Sequence, residues 1–153
     1  MTRLQCPENL KKVYDTLKIT KEEWMKIIIV SEGQSTCYQW HSERFKRITA
    51  SSRAHRIKTR EENFESLAKQ FNNQKFQGRM TIAMEYGLIM EIKARECFIL
   101  ETGLHVHTVG LIVKMDQPHL AASPDGVITE TDSLLEIKCP YTCKNSMIID
   151  RRM

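Results

Sequence analysis

Two carboxylates and a lysine, Asp125 with Glu136-Ile137-Lys138, form the pattern in this sequence best suited to chemistry. Val127-Ile128-Thr129 and Leu134 to Lys138 read as strands, and the polar Thr131-Asp132-Ser133 reads as the turn of a hairpin. Successive strand side chains point to opposite faces. Glu136 and Lys138 then share one face, and Leu135 and Ile137 turn toward a core. Asp125, at the head of the first strand, folds back opposite the Glu136/Lys138 region. Charges gathered this way are costly without a partner, and a metal ion supplies one. Oxygen donors suit Mg²⁺ or Mn²⁺. Such an ion lowers the pKa of a bound water and neutralises phosphate charge. Lys138 could orient the attacking hydroxide or steady the pentavalent phosphorane. The competing reading is an ordinary hairpin, because Glu-x-Lys is common on exposed strands and Asp-Gly is a common turn.

Glu91 is a candidate third acid. Gly87 sits inside a helical pattern, where glycine costs roughly 1 kcal/mol relative to alanine. Close approach of another backbone or of the sheet would justify it and bring Glu91, one turn on, to the same site. Otherwise Glu91 is simply exposed.

The positioning elements are mostly helical at first. Pro7-Glu8-Asn9 opens a helix to about Leu17. Thr20 to Glu23 fits a capping box, with a helix through about Val30. Ser31 to Cys37 reads as a linker. Tyr38 to Arg47 reads as a short helix with Trp40 and Arg44 on one face. Ser51 can cap a helix through about Arg56, and Glu61 to Phe71 is another helical stretch. Asn72 to Gly78 reads as a loop. Thr81 to Leu100 is the longest helical pattern, with Gly103 placed as its C-cap. Val106 to Met115 then reads as strand, and Gln117 to Pro124 as a loop. The expectation is an α/β or α+β domain.

Composition bounds the rest. A chain of 153 residues, 41% apolar and 27% charged, is an ordinary globular length and balance. The longest apolar run, Ile27 to Val30, is too short for a bilayer, and the N-terminus has no signal-like apolar segment. The expectation is a soluble intracellular protein, nuclear or cytoplasmic according to host, with no membrane partner. Five cysteines at irregular spacing suit free thiols. Cys139 and Cys143 alone fall short of a zinc or iron–sulfur set. Between Gln39 and Arg60 lie seven basic residues, Arg44, Lys46, Arg47, Arg53, Arg56, Lys58 and Arg60, against the single acid Glu43. Such a stretch is either a phosphate-binding surface or a solvated helical face.

Four blocks, in order, resemble the YqaJ-type viral recombinase and phage lambda exonuclease family, of the PD-(D/E)xK, restriction-endonuclease-like superfamily. They are Trp40 to Arg44 leading into Ile48 to Ser51, Gly87 to Glu91, Leu120 to Gly126, and Leu135 to Thr142. The resemblance covers about residues 38–146. It implies a nuclease domain (38–153) with a mixed β-sheet core flanked by helices; residues 1–37 lie outside the resemblance and read as an N-terminal helical extension.

The resemblance also implies roles. Asp125 and Glu136 would hold Mg²⁺ or Mn²⁺, with the backbone carbonyl of Ile137 as a further ligand and Glu91 assisting. Lys138 would be the catalytic lysine. Arg44, Ser51 and Lys144 would bind DNA phosphate. The implied reaction is exonucleolytic hydrolysis of double-stranded DNA from a 5′ end, in recombination or repair of viral or mobile-element type. A single-strand annealing recombinase and a homo-oligomer are the implied partners. Relatives continue past the catalytic strand with further strands and a glutamine-bearing helix, whereas this chain stops at Met153. The expectation is therefore a domain incomplete at its C-terminus. The alternative function is a catalytically incomplete DNA-end-binding or interaction module.

Overall fold

The computed structural model describes residues 8–50, 57, 64–72 and 80–145. Among the described residues, five α-helices and six short strands make an α+β fold. The helices are α1 (Glu8–Thr16), α2 (Lys21–Val30), α3 (Tyr38–Phe45), α4 (Phe64–Asn72) and α5 (Ile82–Thr102). The strands are β1 (Ile48–Thr49), β2 (Val106–His107), β3 (Ile112–Val113), β4 (Leu120–Ala122), β5 (Gly126–Ile128) and β6 (Ser133–Leu135). They group into two compact units, residues 1–73 with 108–124 and residues 74–107 with 125–153.

In the first unit, α2 starts on the expected capping box. The Thr20 N–H donates to Glu23 Oε2 at 2.8 Å, and the Glu23 N–H donates to Thr20 Oγ1 at 3.2 Å. This satisfies two helix-end donors reciprocally. A mixed sheet in the order β1-β4-β3 follows, with β1 parallel to β4 and β3 antiparallel to it. Trp40, Leu111, Val113 and Ala121 form the core, with Ile19, Trp24, Ile27 and Cys37 packed against it. Leu111 and Val113 are fully buried, each stabilising by about 1.5–3 kcal/mol. The indole N–H groups are satisfied too. Trp24 donates to the Val113 carbonyl at 2.8 Å and Trp40 to Ser123 Oγ at 2.7 Å.

Three sequence expectations change here. Residues 31–37 are more than a linker. Ser31 is buried, donates to the Ile27 carbonyl at 2.5 Å, and accepts the Leu111 N–H at 2.8 Å. Gln34 donates to the carbonyls of Val109 and Pro124, each at 3.1 Å. The stretch 106–115 is two strands in two sheets, not one. Between them, Gly110 lies so close to the end of α2 that a Cβ there would run into Ser31 Oγ and the Ile28 carbonyl. Residues 117–124 contain β4, and Ile48–Thr49 is β1. The helix expected from Ser51 lies outside the described residues.

In the second unit, Thr81 caps α5 by accepting the Met84 N–H at 3.2 Å, and Gly103 ends it in the left-handed region with φ 69°. That conformation suits glycine, which has no Cβ to clash. The sheet β2-β5-β6 is antiparallel throughout. The β5–β6 hairpin is present, but β6 stops at Leu135, short of the expected Lys138. No helix among the described residues is long and apolar enough to cross a membrane.

Candidate active site

The hairpin register pairs Gly126 with Leu135, which puts Asp125 opposite Glu136 one step further. The Asp125 N–H still donates to the Leu135 carbonyl at 3.1 Å. Beyond it the ladder changes hands. The Ile137 N–H donates to Asp125 Oδ2 at 2.5 Å, so a side-chain carboxylate replaces a backbone acceptor. This ends β6 early and fixes both Asp125 and the Glu136–Ile137 peptide. Gly126 helps by leaving room, since a Cβ there would strike Val106 Cγ1. Ile137 and Leu135 are half-buried while Glu136 and Lys138 are exposed, the two-faced pattern expected of the strand.

Lys138 Nζ donates to Glu136 Oε1, with the side chains 75% and 58% exposed. That hydrogen bond raises the lysine pKa; partial burial opposes it, and the charges of Glu136, Asp125 and Glu91 add to it. Glu91, on α5, is pushed above the ordinary carboxylate range. Burial is the main cause, followed by the like charge of Asp125; Arg95 opposes both, and Glu136 adds to the rise. Asp125, Glu136, Lys138 and Glu91 therefore share one electrostatic environment in the second unit.

The reason expected for this grouping differs from the one observed. A Cβ at Gly87 would meet nothing within 4 Å, so no close backbone approach explains that glycine. Glu91 instead answers to Arg95 one turn further on, whose Nη2 lies 2.6 Å from Glu91 Oε1. Sequence reasoning passed over Arg95, although its i, i+4 spacing from Glu91 was the available signal. Among the described residues, no three His, Cys, Asp or Glu side chains close into a ready-made metal cage. The described cysteines, Cys37, Cys97, Cys139 and Cys143, are free thiols.

The phosphate-binding candidates are distributed differently. Arg44 belongs to the first unit, its guanidinium 4.4 Å from the Trp40 ring centroid. Its neighbours in the basic stretch are engaged within the protein. Arg47 is buried, paired with Glu43, and donates from Nε to the Pro118 carbonyl at 3.1 Å. Lys46 Nζ lies 2.6 Å from Glu43 Oε1. Burial pushes Glu43 up, but hydrogen bonds from Lys46 and Arg47 outweigh it and hold its carboxyl below the usual range. Arg47, buried, and Lys46, half exposed, thus share one acid, while Arg53, Arg56, Lys58 and Arg60 of the basic stretch lie outside the described residues. Ser51 lies outside the described residues. Lys144 belongs to the second unit, 4.4 Å from the Tyr141 ring centroid and 2.9 Å from its hydroxyl. Tyr141 in turn meets the Tyr86 ring edge-on at 5.4 Å.

The crystal structure of LHK-Exo in complex with dAMP is 33% identical, with TM-score 0.55 over 68% of this chain and 54% of that one. The crystal structure of an alkaline exonuclease (LHK-Exo) from Laribacter hongkongensis is 31% identical, with TM-score 0.50 and the same coverage. The chain thus spans about half the length of these solved structures. No curated protein matches it. Residues 39–150, which hold the Arg44 helix, Glu91 and the Asp125/Lys138 hairpin, match the YqaJ-like viral recombinase domain, and the chain belongs to that family.

Proposed function

We propose that the chain is a Mg²⁺-dependent deoxyribonuclease that hydrolyses phosphodiesters of linear duplex DNA from a 5′ end. The observation that carries this reading is the hairpin geometry that sets Asp125, held by the Ile137 N–H, opposite Glu136 and Lys138, with their charges also bearing on Glu91. Mg²⁺ takes one or two carboxylates and completes its shell with water and substrate phosphate, so a closed protein cage is not required. The all-oxygen donor set fits it, and a cation would relieve the like-charge crowding on Glu91. Asp125 and Glu136 would hold the ion, with the Ile137 carbonyl alongside and Glu91 assisting. When bound, the ion supplies an activated water and charge neutralisation.

The chain's own residues do the rest. Asp125, anchored by the Ile137 N–H, keeps its carboxylate in one orientation. Lys138, an ammonium that is cationic near neutral pH even without a partner, would exchange Glu136 for a substrate oxygen. Arg44, resting on Trp40, binds DNA phosphate together with Ser51, and Lys144 does so from its own unit. Residues 38–153 are proposed as the nuclease domain and residues 1–37 as its helical extension.

A second reading is a DNA-end-binding module without catalysis, and the pairing of Lys138 with Glu136, which occupies the would-be catalytic ammonium, favours it. One experiment separates the two. Purified protein with Mg²⁺ and 5′-phosphorylated linear duplex releases nucleotides under the first reading, and Asp125→Ala or Lys138→Ala abolishes release. Intact DNA with tight end binding selects the second. Activity persisting in both variants removes these residues from the site.

A further inference from the structure

Arg95 is the cation facing Glu91 from within α5. An Asp or Glu paired with Arg at i, i+4 on an open helix face is a routine surface contact. This pair differs in its surroundings. The Arg95 and Glu91 side chains are only 18% and 29% exposed, at an Nη2–Oε1 distance of 2.6 Å. Arg95 Nε is buried without a hydrogen-bond partner among the described residues. The guanidinium is thus largely enclosed, with Nη2 on the Glu91 carboxylate. The contact engages Oε1 of Glu91, leaving Oε2 to other partners. Asp125 and Glu136 act on the same carboxylate with like charge.

We infer that Arg95 is the positioning residue of the metal site, fixing the Glu91 carboxylate by one oxygen so that the other is presented to the divalent cation. The inference rests on the metal-site reading of Glu91, Asp125 and Glu136 given above. A guanidinium suits the task because it remains charged at all working pH values and its rigid fork fixes carboxylate geometry. A residue that orients a ligand from behind typically changes metal affinity or activity by about 10–100-fold when replaced. Bare electrostatics predicts the reverse, since a fixed positive charge beside the site repels the incoming cation. The two accounts differ in sign, which makes the question decidable.

The test is Mn²⁺ binding to the full chain, followed by calorimetry without DNA, alongside the Mg²⁺ concentration for half-maximal nuclease activity. Arg95→Met is expected to weaken Mn²⁺ binding about tenfold or more and to raise the half-activating Mg²⁺ concentration in proportion. Arg95→Lys should recover part of the loss. In a Glu91→Gln background, Arg95→Met should change nothing further, because Arg95 acts through Glu91. A merely structural role would lower the melting temperature without moving the affinity of the folded fraction, which circular dichroism of each variant registers. Unchanged or tighter Mn²⁺ binding by a folded Arg95→Met overturns the inference while the metal-site reading stands. Failure of the wild-type protein to bind Mn²⁺ overturns both together.

Discussion

Replacing Asp125 by asparagine and by alanine should separate its structural role from its chemical one. The Ile137 N–H, part-buried, donates to the Asp125 carboxylate at 2.5 Å. A hydrogen bond to a charged group contributes about 1.5–3 kcal/mol, and one between neutral groups about 0.5–1.5 kcal/mol. Asp125→Ala removes the acceptor and should cost about 1.5–3 kcal/mol. Asp125→Asn keeps a carbonyl oxygen for the same N–H and removes the charge that crowds Glu91. It should therefore cost about 1 kcal/mol or less. For a domain of this size, 1 kcal/mol shifts the melting temperature by about 2–4 °C. Thermal melts followed by circular dichroism should then show a loss of about 3–12 °C for alanine and about 4 °C or less for asparagine. Nuclease activity should vanish in both, because metal binding needs the charge. If asparagine destabilises as much as alanine, the hydrogen bond to Ile137 is not what holds the end of β6, and the account of Asp125 as an anchored ligand fails.

Other outcomes follow from the same structure. Gly110→Ala should destabilise by about 1–3 kcal/mol in urea unfolding. Adding Ser31→Gly should not rescue it, because the Ile28 carbonyl remains in the way. Gly126→Ala should also destabilise, but Val106→Ala should restore the midpoint, since its obstacle is the Val106 side chain. Glu130 is pulled down to about 2 by backbone hydrogen bonding at its own residue, then by the His105 side chain and N–H. A lowered carboxylate stabilises the fold above its unfolded pKa, and that contribution is lost as pH falls through the folded value. Glu130→Gln should therefore lower the melting temperature near neutral pH and leave it unchanged near pH 2. An equal loss at both would assign the effect to packing instead.

Much of the local structure was legible because it depends on near neighbours. The Thr20/Glu23 capping box, the Gly103 stop and the turn before Ser133 are encoded within a few residues, and each appears where the spacing places it. The short strands β1 and β4 escaped notice because their partners are distant in sequence or not evident locally: β1 pairs with β4 alone, and β4 lies between β1 and β3. Ile48 pairs with Leu120, and nothing local in Leu120-Ala121-Ala122 announces a strand. The division of 106–115 between two sheets depends on Gly110 meeting the end of α2, a contact distant in sequence. At the site, the residue types and the hairpin pointed to Asp125, Glu136 and Lys138, and α5 brought Glu91 into their field. The pattern of charges could not show which cations are engaged internally. Arg47 and Arg95 look in sequence like any other arginine, and only burial identifies their partners.

The pairing of β1 with β4 also governs how the chain can reach its native state. The first unit is closed by residues 108–124, after residues 74–107 of the second have already been made. Its parallel strand pair joins distant segments, a topology that folds slowly. During synthesis the buried positions around Trp40 and Trp24 must wait for Leu111, Val113 and Ala121 before they are covered. The two units are interleaved along the chain, so no single cut yields either of them whole. A break between residues 73 and 74 leaves the first unit without two of its three strands, exposing apolar surface on the N-terminal piece.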